Sequence, residues 1–350
     1  MTPLLSVIIP CYNNGKYLLE MIDCFRHQTS SSWEMIIVDD GSTDDTPQVV
    51  EKSISDLPNV FFYKRDREPK GSVVCRNIGF EKANGKYVCH LDADDLVSST
   101  FVEHRVALME LHPEIDYASF PAKAFSKRDS LPTFESDVQT WGVGDNSIDL
   151  LDRFLRVKYP FSVWNNIYRK DSIKFLPWDE KVKIYTDFSF IVPGIIAGLK
   201  HLFSGLKEVD YYYRQEVANK VAMTSDFISQ EKCDSTIYLF SKTLDSLKEK
   251  GLFEKYKGAF FNFILLHFTR LLMSKDASDS NKMIEYLTMC EKYYDCKRRF
   301  SIITLLRKFK QPMRYRIMCV EYALLFGNTY YLKQYWQLVV CKKSSRSRTR

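Results

Sequence analysis

Residues 4–14 read Leu-Leu-Ser-Val-Ile-Ile-Pro-Cys-Tyr-Asn-Asn, a short apolar run that leads directly into a polar cluster. Two further apolar runs end in the same way. Residues 35–38 lead into Asp39-Asp40-Gly41-Ser42, and residues 87–91 lead into Asp92-Ala93-Asp94-Asp95. Because such runs are rich in the residue types that strands favour, each is predicted to be a buried strand with a polar carboxyl end.

Between these strands, apolar residues recur at helical spacing, as in Lys16–Gln28, Pro47–Ile54 and Val73–Lys82. Strands that alternate with helices, and that are apolar throughout, are typical of a parallel sheet covered on both faces. The sequence therefore predicts an α/β fold with a mixed, mostly parallel sheet and helices on both faces. Residues 125–147 are rich in Ser, Pro, Asp and Gly and are predicted to form a loop.

The chain is long enough for two domains, with 350 residues of which 45% are hydrophobic. Strand signals continue to Val209–Tyr213, and beyond about residue 226 the pattern is wholly helical. We therefore predict one α/β domain over residues 1–225 and a helical C-terminal region over residues 226–350.

The chain shows no segment that is expected to cross or enter a membrane. Its longest uncharged apolar stretches have 11 or 12 residues, whereas a spanning helix needs roughly 20. Its first ten residues lack the features of a signal peptide. Nine cysteines, an odd number without a Cys-x-x-Cys pair, fit reduced thiols. These features predict a cytoplasmic protein.

Positive charge is concentrated at the C-terminus, since residues 297–350 carry fourteen Lys and Arg against one acidic residue, Glu321. Basic and apolar residues alternate in Arg307–Lys310 and Arg314–Arg316. This pattern predicts a peripheral contact with an anionic membrane surface on the inner face of the membrane. A solvated basic tail is the alternative. No nucleic-acid recognition motif accompanies the charge, so no nucleic-acid partner is expected.

Carboxyl ends of parallel strands meet at one edge of the sheet, where ligands bind in open α/β folds. Two of the three polar clusters at this edge are acidic, so a bound phosphate would need a bridging divalent cation such as Mg²⁺ or Mn²⁺. A Walker-type phosphate loop is absent from the sequence, because Gly15-Lys16 and Gly85-Lys86 are each followed by Tyr. The edge is therefore predicted to hold a metal-bridged pyrophosphate.

Four motifs, in this order and at this spacing, resemble those of the family 2 glycosyltransferases with the GT-A fold. They are Ser6-Val7-Ile8-Ile9-Pro10-x-Tyr12-Asn13, Val38-Asp39-Asp40-Gly41-Ser42-Thr43-Asp44, Arg76-Asn77-x-Gly79 and Leu91-Asp92-Ala93-Asp94-Asp95. The likeness continues through Trp164–Arg169, Thr186–Phe188 and Tyr211–Arg214, and covers roughly residues 4–225. It implies an inverting enzyme that moves a sugar from a nucleotide-diphospho-sugar to a hydroxyl of a glycan or lipid-linked acceptor, in surface polysaccharide synthesis.

The resemblance also implies which residues bind the donor. Pro10, Tyr12 and Asp40 would line the nucleoside pocket, where Asp40 accepts a hydrogen bond from the base. Arg76 would lie near the donor, and Asp92 near its ribose or sugar.

Two further aspartates take roles from the same resemblance. Asp94 would bind the metal ion, and Asp187 would be the general base. Thr186 stands where the family usually has Glu. Gln215-Glu216 replaces a histidine that often follows in the family, and Lys220 is a candidate substitute for its phosphate contact.

Structural roles remain open for each of these residues taken alone. The Asp40 segment is also typical of a turn, Arg76 of a salt bridge on a helix surface, and Asp187 of a helix N-terminus. Asp95 is a candidate cap of the following helix. At the level of the whole chain, the alternatives are a non-catalytic carbohydrate-binding or scaffold protein, and a sugar nucleotidyltransferase.

Overall fold

A computed structural model describes residues 3–126, 130–215 and 230–273. One compact unit draws its described residues from Met1–Ser225 and Asp234–Ala259, and a second draws them from Asp226–Cys233 and Phe260–Arg350. The predicted domain boundary at residue 225 stays a prediction. Lys220 and the basic residues from 297 onward lie outside the described residues.

The strands and the helices of the described residues are each numbered in chain order. The strands are β1 (Leu5–Cys11), β2 (Trp33–Asp39), β3 (Val60–Lys64), β4 (Tyr87–His90), β5 (Leu96–Val97), β6 (Tyr117–Ser119), β7 (Ala122–Phe125), β8 (Thr140–Trp141), β9 (Asn166–Arg169), β10 (His201–Phe203) and β11 (Tyr211–Arg214). The helices are α1 (Gly15–Arg26), α2 (Thr46–Ser53), α3 (Ser72–Lys82), α4 (Phe101–Leu111), α5 (Leu150–Leu155), α6 (Lys170–Ile173), α7 (Thr186–Ile196), α8 (Gln230–Glu249) and α9 (Phe253–Met273).

The larger sheet of the described residues has the strand order β10-β6-β9-β4-β1-β2-β3. Its neighbours pair in parallel except at β9, which is antiparallel to both β4 and β6. The predicted mixed, mostly parallel sheet is thereby confirmed. Parallel pairing from β4 to β3 brings the carboxyl ends of β1, β2 and β4 to one edge.

Helices cover both faces of β2, whose seven residues are all buried. On one face, Ile36 and Val38 belong to a core cluster that includes Val74 and Ile78 of α3. On the other face, the ring of Trp33 lies 5.1 Å from the ring of Phe25 in α1. Alternating side chains of one strand thus pack on different helices, as the continuous apolar run requires.

A smaller sheet, in the order β5-β11-β7-β8, lies outside the sequence prediction. The prediction of a loop over residues 125–147 is wrong for Phe125, the last residue of β7, and for Thr140 and Trp141, which pair with Lys123 and Ala122. A two-residue strand is too short to show alternation, so its sequence gives no period-two signal. No helix among the described residues has the length and apolar character needed to span a bilayer.

Candidate active site

The segment 65–71, between β3 and α3, contacts two of the residues predicted to bind the nucleoside. Asp40 Oδ1 accepts hydrogen bonds from Arg65 Nε at 2.8 Å and from the Gly71 backbone N–H at 3.0 Å. Lys70 Nζ lies 3.5 Å from the centroid of the Tyr12 ring. Tyr12 remains 38% exposed, so its ring stays within reach of a ligand. Tyr12 and Asp40 therefore lie beside the same segment.

The two aspartates at the end of β2 have different structural roles. Asp39 Oδ2 accepts from the backbone N–H groups of Gly41 and Ser42, at 3.2 and 3.0 Å, and so closes a tight turn. Asp40 points instead toward the 65–71 segment. Pro10 lies in β1 in register with Val38 of β2, which places the later part of the first motif beside the start of the second. The turn interpretation therefore describes Asp39 and not Asp40.

Arg76 lies in α3 and is buried, so it is not a salt bridge on a helix surface. Its guanidinium group donates to Asp92 Oδ1 at 2.5 Å, which brings two predicted donor-binding residues together. The Nε atom of Arg76 is buried without a hydrogen-bond partner. Its guanidinium carbon lies 4.8 Å from the ring centroid of Trp178. Arg76 thus links the end of β4 to the segment before α7.

A brace from β11 fixes the Asp92–Asp95 segment. Asp95 is fully buried and accepts hydrogen bonds from the hydroxyl of Tyr211 and, at 2.8 Å, from the backbone N–H of Arg214. Arg214 Nε donates to the backbone carbonyl of Asp94 at 2.6 Å. Burial, together with the charges of Asp94 and Asp92, raises the pKa of Asp95 well above its usual range. Asp95 is therefore a structural residue that positions Asp94.

Asp187 lies in the first turn of α7 and is half-buried. Its Oδ2 atom accepts a hydrogen bond from the Ser162 hydroxyl and another from the Val163 backbone N–H at 3.3 Å. Burial raises the pKa of Asp187, an effect that Ser162 and the positive charge of Arg76 partly offset and the charge of Asp92 reinforces. The structure therefore brings Asp187 within electrostatic range of the Arg76–Asp92 pair, although 95 residues separate the two aspartates in sequence.

Aromatic rings connect the support of Asp187 with the β11 brace. Trp164, which follows Val163, stacks on Tyr211 with ring centroids 4.8 Å apart and on Tyr213 at 5.7 Å. Trp164 and Tyr211 are both buried. The segment that supports Asp187 and the strand that supports Asp94 therefore meet in one packed aromatic cluster.

Residues 6–176 match the family model described as "Glycosyl transferase family 2". The chain carries a family 2 glycosyltransferase domain. Its resemblance to that family, expected from four sequence motifs, is confirmed.

Two proteins of Bacillus subtilis are similar to this chain in sequence. The chain is 28% identical over 298 residues to the minor teichoic acid biosynthesis protein GgaB of Bacillus subtilis, an alignment that covers 81% of the chain and 31% of GgaB. It is 37% identical over 109 residues to the putative teichuronic acid biosynthesis glycosyltransferase TuaG of the same organism, covering 31% of the chain and 42% of TuaG. The chain thus spans about a third of the length of GgaB.

The glycosyltransferase domain also resembles a solved structure, that of Staphylococcus aureus TarS residues 1–349 in complex with UDP-GlcNAc. The TM-score is 0.61 at 20% sequence identity, and the alignment covers 81% of this chain and 79% of TarS 1–349. This likeness supports the GT-A type of fold.

The acidic end of β4 suits a divalent cation that is shared with a substrate. No group of three or more His, Cys, Asp or Glu side chains is arranged to hold an ion within the part of the chain that the structure describes. Asp92 and Asp94 supply two carboxylates, however, and Mg²⁺ is commonly bound by one or two carboxylates together with substrate phosphates and water. The residues present therefore fit a metal ion that is completed by the donor's diphosphate.

Several contacts of the candidate site have no recognisable signal in the sequence. Ser162, which holds Asp187, belongs to no quoted motif and lies 25 residues before its partner. Arg65 and Lys70 lie in a segment that has no motif either. Tyr211 and Arg214 lie in a quoted motif, but nothing in that motif indicates that they hold the segment of Asp94 and Asp95. The pairing of β11 with β5, which follows Asp95 directly, explains the bracing role.

Proposed function

We propose that this chain is an inverting glycosyltransferase that moves a sugar from a nucleotide-diphospho-sugar to a hydroxyl of a glycan or lipid-linked acceptor. The observation that supports the proposal is a chain of contacts between Arg76 and the helix that carries Asp187. The Trp178 ring lies 4.8 Å from the guanidinium carbon of Arg76 and stacks on Phe190 of α7, three residues after Asp187. This arrangement would bring a base for the acceptor close to the residues expected at the donor. The names of GgaB and TuaG favour a role in cell-surface polysaccharide synthesis.

On the donor side, Tyr12 and Asp40 would contact the nucleoside, and Pro10 would line the same pocket. Asp94 would hold Mg²⁺ or Mn²⁺, which when bound would stabilise the negative charge of the departing nucleoside diphosphate. Arg76 and Asp92 would orient the donor beside it. The brace from Tyr211 and Arg214 supports this proposal, because a preorganised carboxylate binds without first having to be ordered.

On the acceptor side, Asp187 would take the proton of the attacking hydroxyl. The bond between the anomeric carbon and the new oxygen forms while the bond from that carbon to the diphosphate oxygen breaks. One displacement inverts the configuration of that carbon. A raised pKa makes the Asp187 carboxylate a stronger base than a solvated aspartate, and general bases typically contribute about 10²–10⁴-fold to a rate.

The experiment is a panel of nucleotide-sugars incubated with the protein and with Mg²⁺ or Mn²⁺, in which release of nucleoside diphosphate is measured. UDP-GlcNAc is the first donor to test, since TarS is known in complex with it. We expect metal-dependent release from one donor, and a product of inverted anomeric configuration when an acceptor glycan is supplied. The Asp94→Asn variant should release far less.

Two outcomes would contradict the proposal and support a different function. Formation of a nucleotide-sugar from a sugar phosphate and a nucleoside triphosphate would indicate a nucleotidyltransferase. Binding of glycans without turnover of any donor would indicate a carbohydrate-binding protein.

A further inference from the structure

The segment Pro177–Tyr185 begins where the family match at residues 6–176 ends, and it leads into α7. The Trp178 ring faces the guanidinium group of Arg76 at 4.8 Å and stacks on Phe190 of α7 with centroids 4.5 Å apart. Phe190 lies three residues after Asp187, and therefore on the same side of the helix. The position of this segment thus influences the spacing between Arg76 and Asp187.

Helix α3 holds the first part of the segment. Asn77 Oδ1 accepts from the backbone N–H of Trp178 at 2.9 Å, and Asn77 Nδ2 donates to the Trp178 carbonyl at 2.9 Å and to Glu180 Oε1 at 2.8 Å. Asn77 follows Arg76 directly in the chain. Both ends of the Arg76–Trp178 contact are therefore fixed to α3.

Helix α8 holds the remainder of the segment. Asp179 Oδ2 accepts from the Tyr238 hydroxyl at 2.9 Å and from Lys242 Nζ at 2.5 Å. The Lys183 backbone N–H donates to Ser235 Oγ at 2.7 Å. The Asp179 side chain is only 10% exposed, whereas the side chain of Lys242 is 48% exposed. Residues 234–249 of α8 belong to the same compact unit as α7.

The backbone at the end of the segment needs such support. Tyr185, the residue before Thr186 and Asp187, has φ 59° and ψ 36°, in the left-handed region. A residue other than glycine adopts this conformation at a cost in free energy, and keeps it only when its surroundings enforce it. The direction in which α7 starts, and hence the position of Asp187, depends on this residue.

We propose that α8 is a positioning element of the active site, and that the bonds from Tyr238 and Lys242 to Asp179 hold Asp187 at its working distance from Arg76. This inference rests on the proposed function. Misplacement of a catalytic group by about 1 Å can cost about 10²-fold in rate. The residues expected to bind the nucleoside and the metal ion, Tyr12, Asp40 and Asp94, lie on other elements. Loss of the bonds should therefore lower kcat and leave the KM for the donor unchanged.

The chain offers a matched control for this test. The Tyr256 hydroxyl donates to Asp149 Oδ2 at 2.8 Å, and Lys255 Nζ lies 3.1 Å from the same oxygen. This tyrosine–aspartate–lysine group joins α9 to the start of α5. It has the same chemistry but does not contact the Pro177–Tyr185 segment.

The experiment compares the double variant Tyr238→Phe/Lys242→Gln with Tyr256→Phe/Lys255→Gln in the full chain. We expect a loss of about tenfold or more in kcat for the first and less than twofold for the second, with the KM for the donor within twofold in both. Lys242→Arg should keep most of the activity. The single Tyr238→Phe variant, which removes one hydroxyl, should lie between the unaltered chain and the double variant.

The outcomes separate this inference from the proposed function. Equal losses of kcat in both double variants, or a normal kcat in Tyr238→Phe/Lys242→Gln, would overturn the positioning role of α8. A higher KM for the donor at unchanged kcat would do so too. If the unaltered chain transferred no sugar from any donor, the proposed function would fail and this inference with it.

Discussion

At the scale of single residues, the Asp187 carboxylate is held through its Oδ2 atom, which accepts hydrogen bonds from Ser162 and Val163. We predict that Asp187→Asn lowers kcat by about 10²-fold or more, because the amide cannot accept the proton of the acceptor hydroxyl. The KM for the donor should barely change. Steady-state kinetics with saturating acceptor would measure both constants.

The Asp187→Asn result distinguishes three roles. A loss of donor affinity with normal turnover at saturating donor would make Asp187 a donor ligand. A lower unfolding temperature with normal specific activity would make it only a helix-terminal residue. Ser162→Ala provides a control, since it removes a hydrogen bond to the carboxylate and leaves the carboxylate itself in place.

Asp94 is the second residue whose role can be isolated. We predict that a nucleoside diphosphate with Mg²⁺ or Mn²⁺ raises the melting temperature of the unaltered chain but not of Asp94→Asn. A ligand at 100 times its Kd stabilises a protein by about 2.7 kcal/mol, which a thermal-shift measurement detects readily. The ligand-free variant should melt near the unaltered chain. Stabilisation by UDP or GDP that persists in EDTA would contradict a metal-bridged diphosphate.

The sequence predicted residues at strand ends better than residues that support them. Asp40, Asp92 and Asp94 follow apolar strands, so chain order alone placed them at one edge of the sheet. Ser162 and Lys70 reach the site through the folding of loops, which have no periodicity to interpret.

At the scale of elements, Gly79 explains how closely α3 approaches β1. A Cβ atom at this position would lie 2.4 Å from Ile8 Cγ2, in a fully buried part of the core. We predict that Gly79→Ala destabilises the protein by about 1–3 kcal/mol, the usual cost of overpacking a core. Urea denaturation would measure the loss.

Gly258 in α9 is the matched control for Gly79. It is exposed, and a Cβ atom there would have no neighbour within 4 Å. Alanine should therefore stabilise this helix by about 0.5–1 kcal/mol, because glycine loses more backbone freedom on folding. A loss of stability at Gly258 as large as that at Gly79 would show that packing against Ile8 is not the cause.

At the scale of the whole molecule, the sequence boundary was placed where the strand signals end. The structure groups residues into compact units by their packing instead. Residues 234–259 belong to the same compact unit as the α/β sheet, although they follow the last strand. The spacing of apolar residues along the sequence indicates that a segment is a helix, but it does not indicate which surface the helix packs on. The bonds from Tyr238 and Lys242 to Asp179 were therefore beyond sequence analysis.

The distribution of charge is a second property of the whole chain, since residues 297–350 contain fourteen basic residues and one acidic residue. We predict that the full chain binds vesicles of anionic lipid and not neutral ones, because each basic residue near such a surface contributes about 1 kcal/mol. Vesicle flotation would measure this binding, and higher salt should weaken it. A variant with glutamine at five of the last nine residues should bind less; these are Lys342, Lys343, Arg346, Arg348 and Arg350. Equal recovery with both lipids, or none with either, would indicate a solvated tail instead.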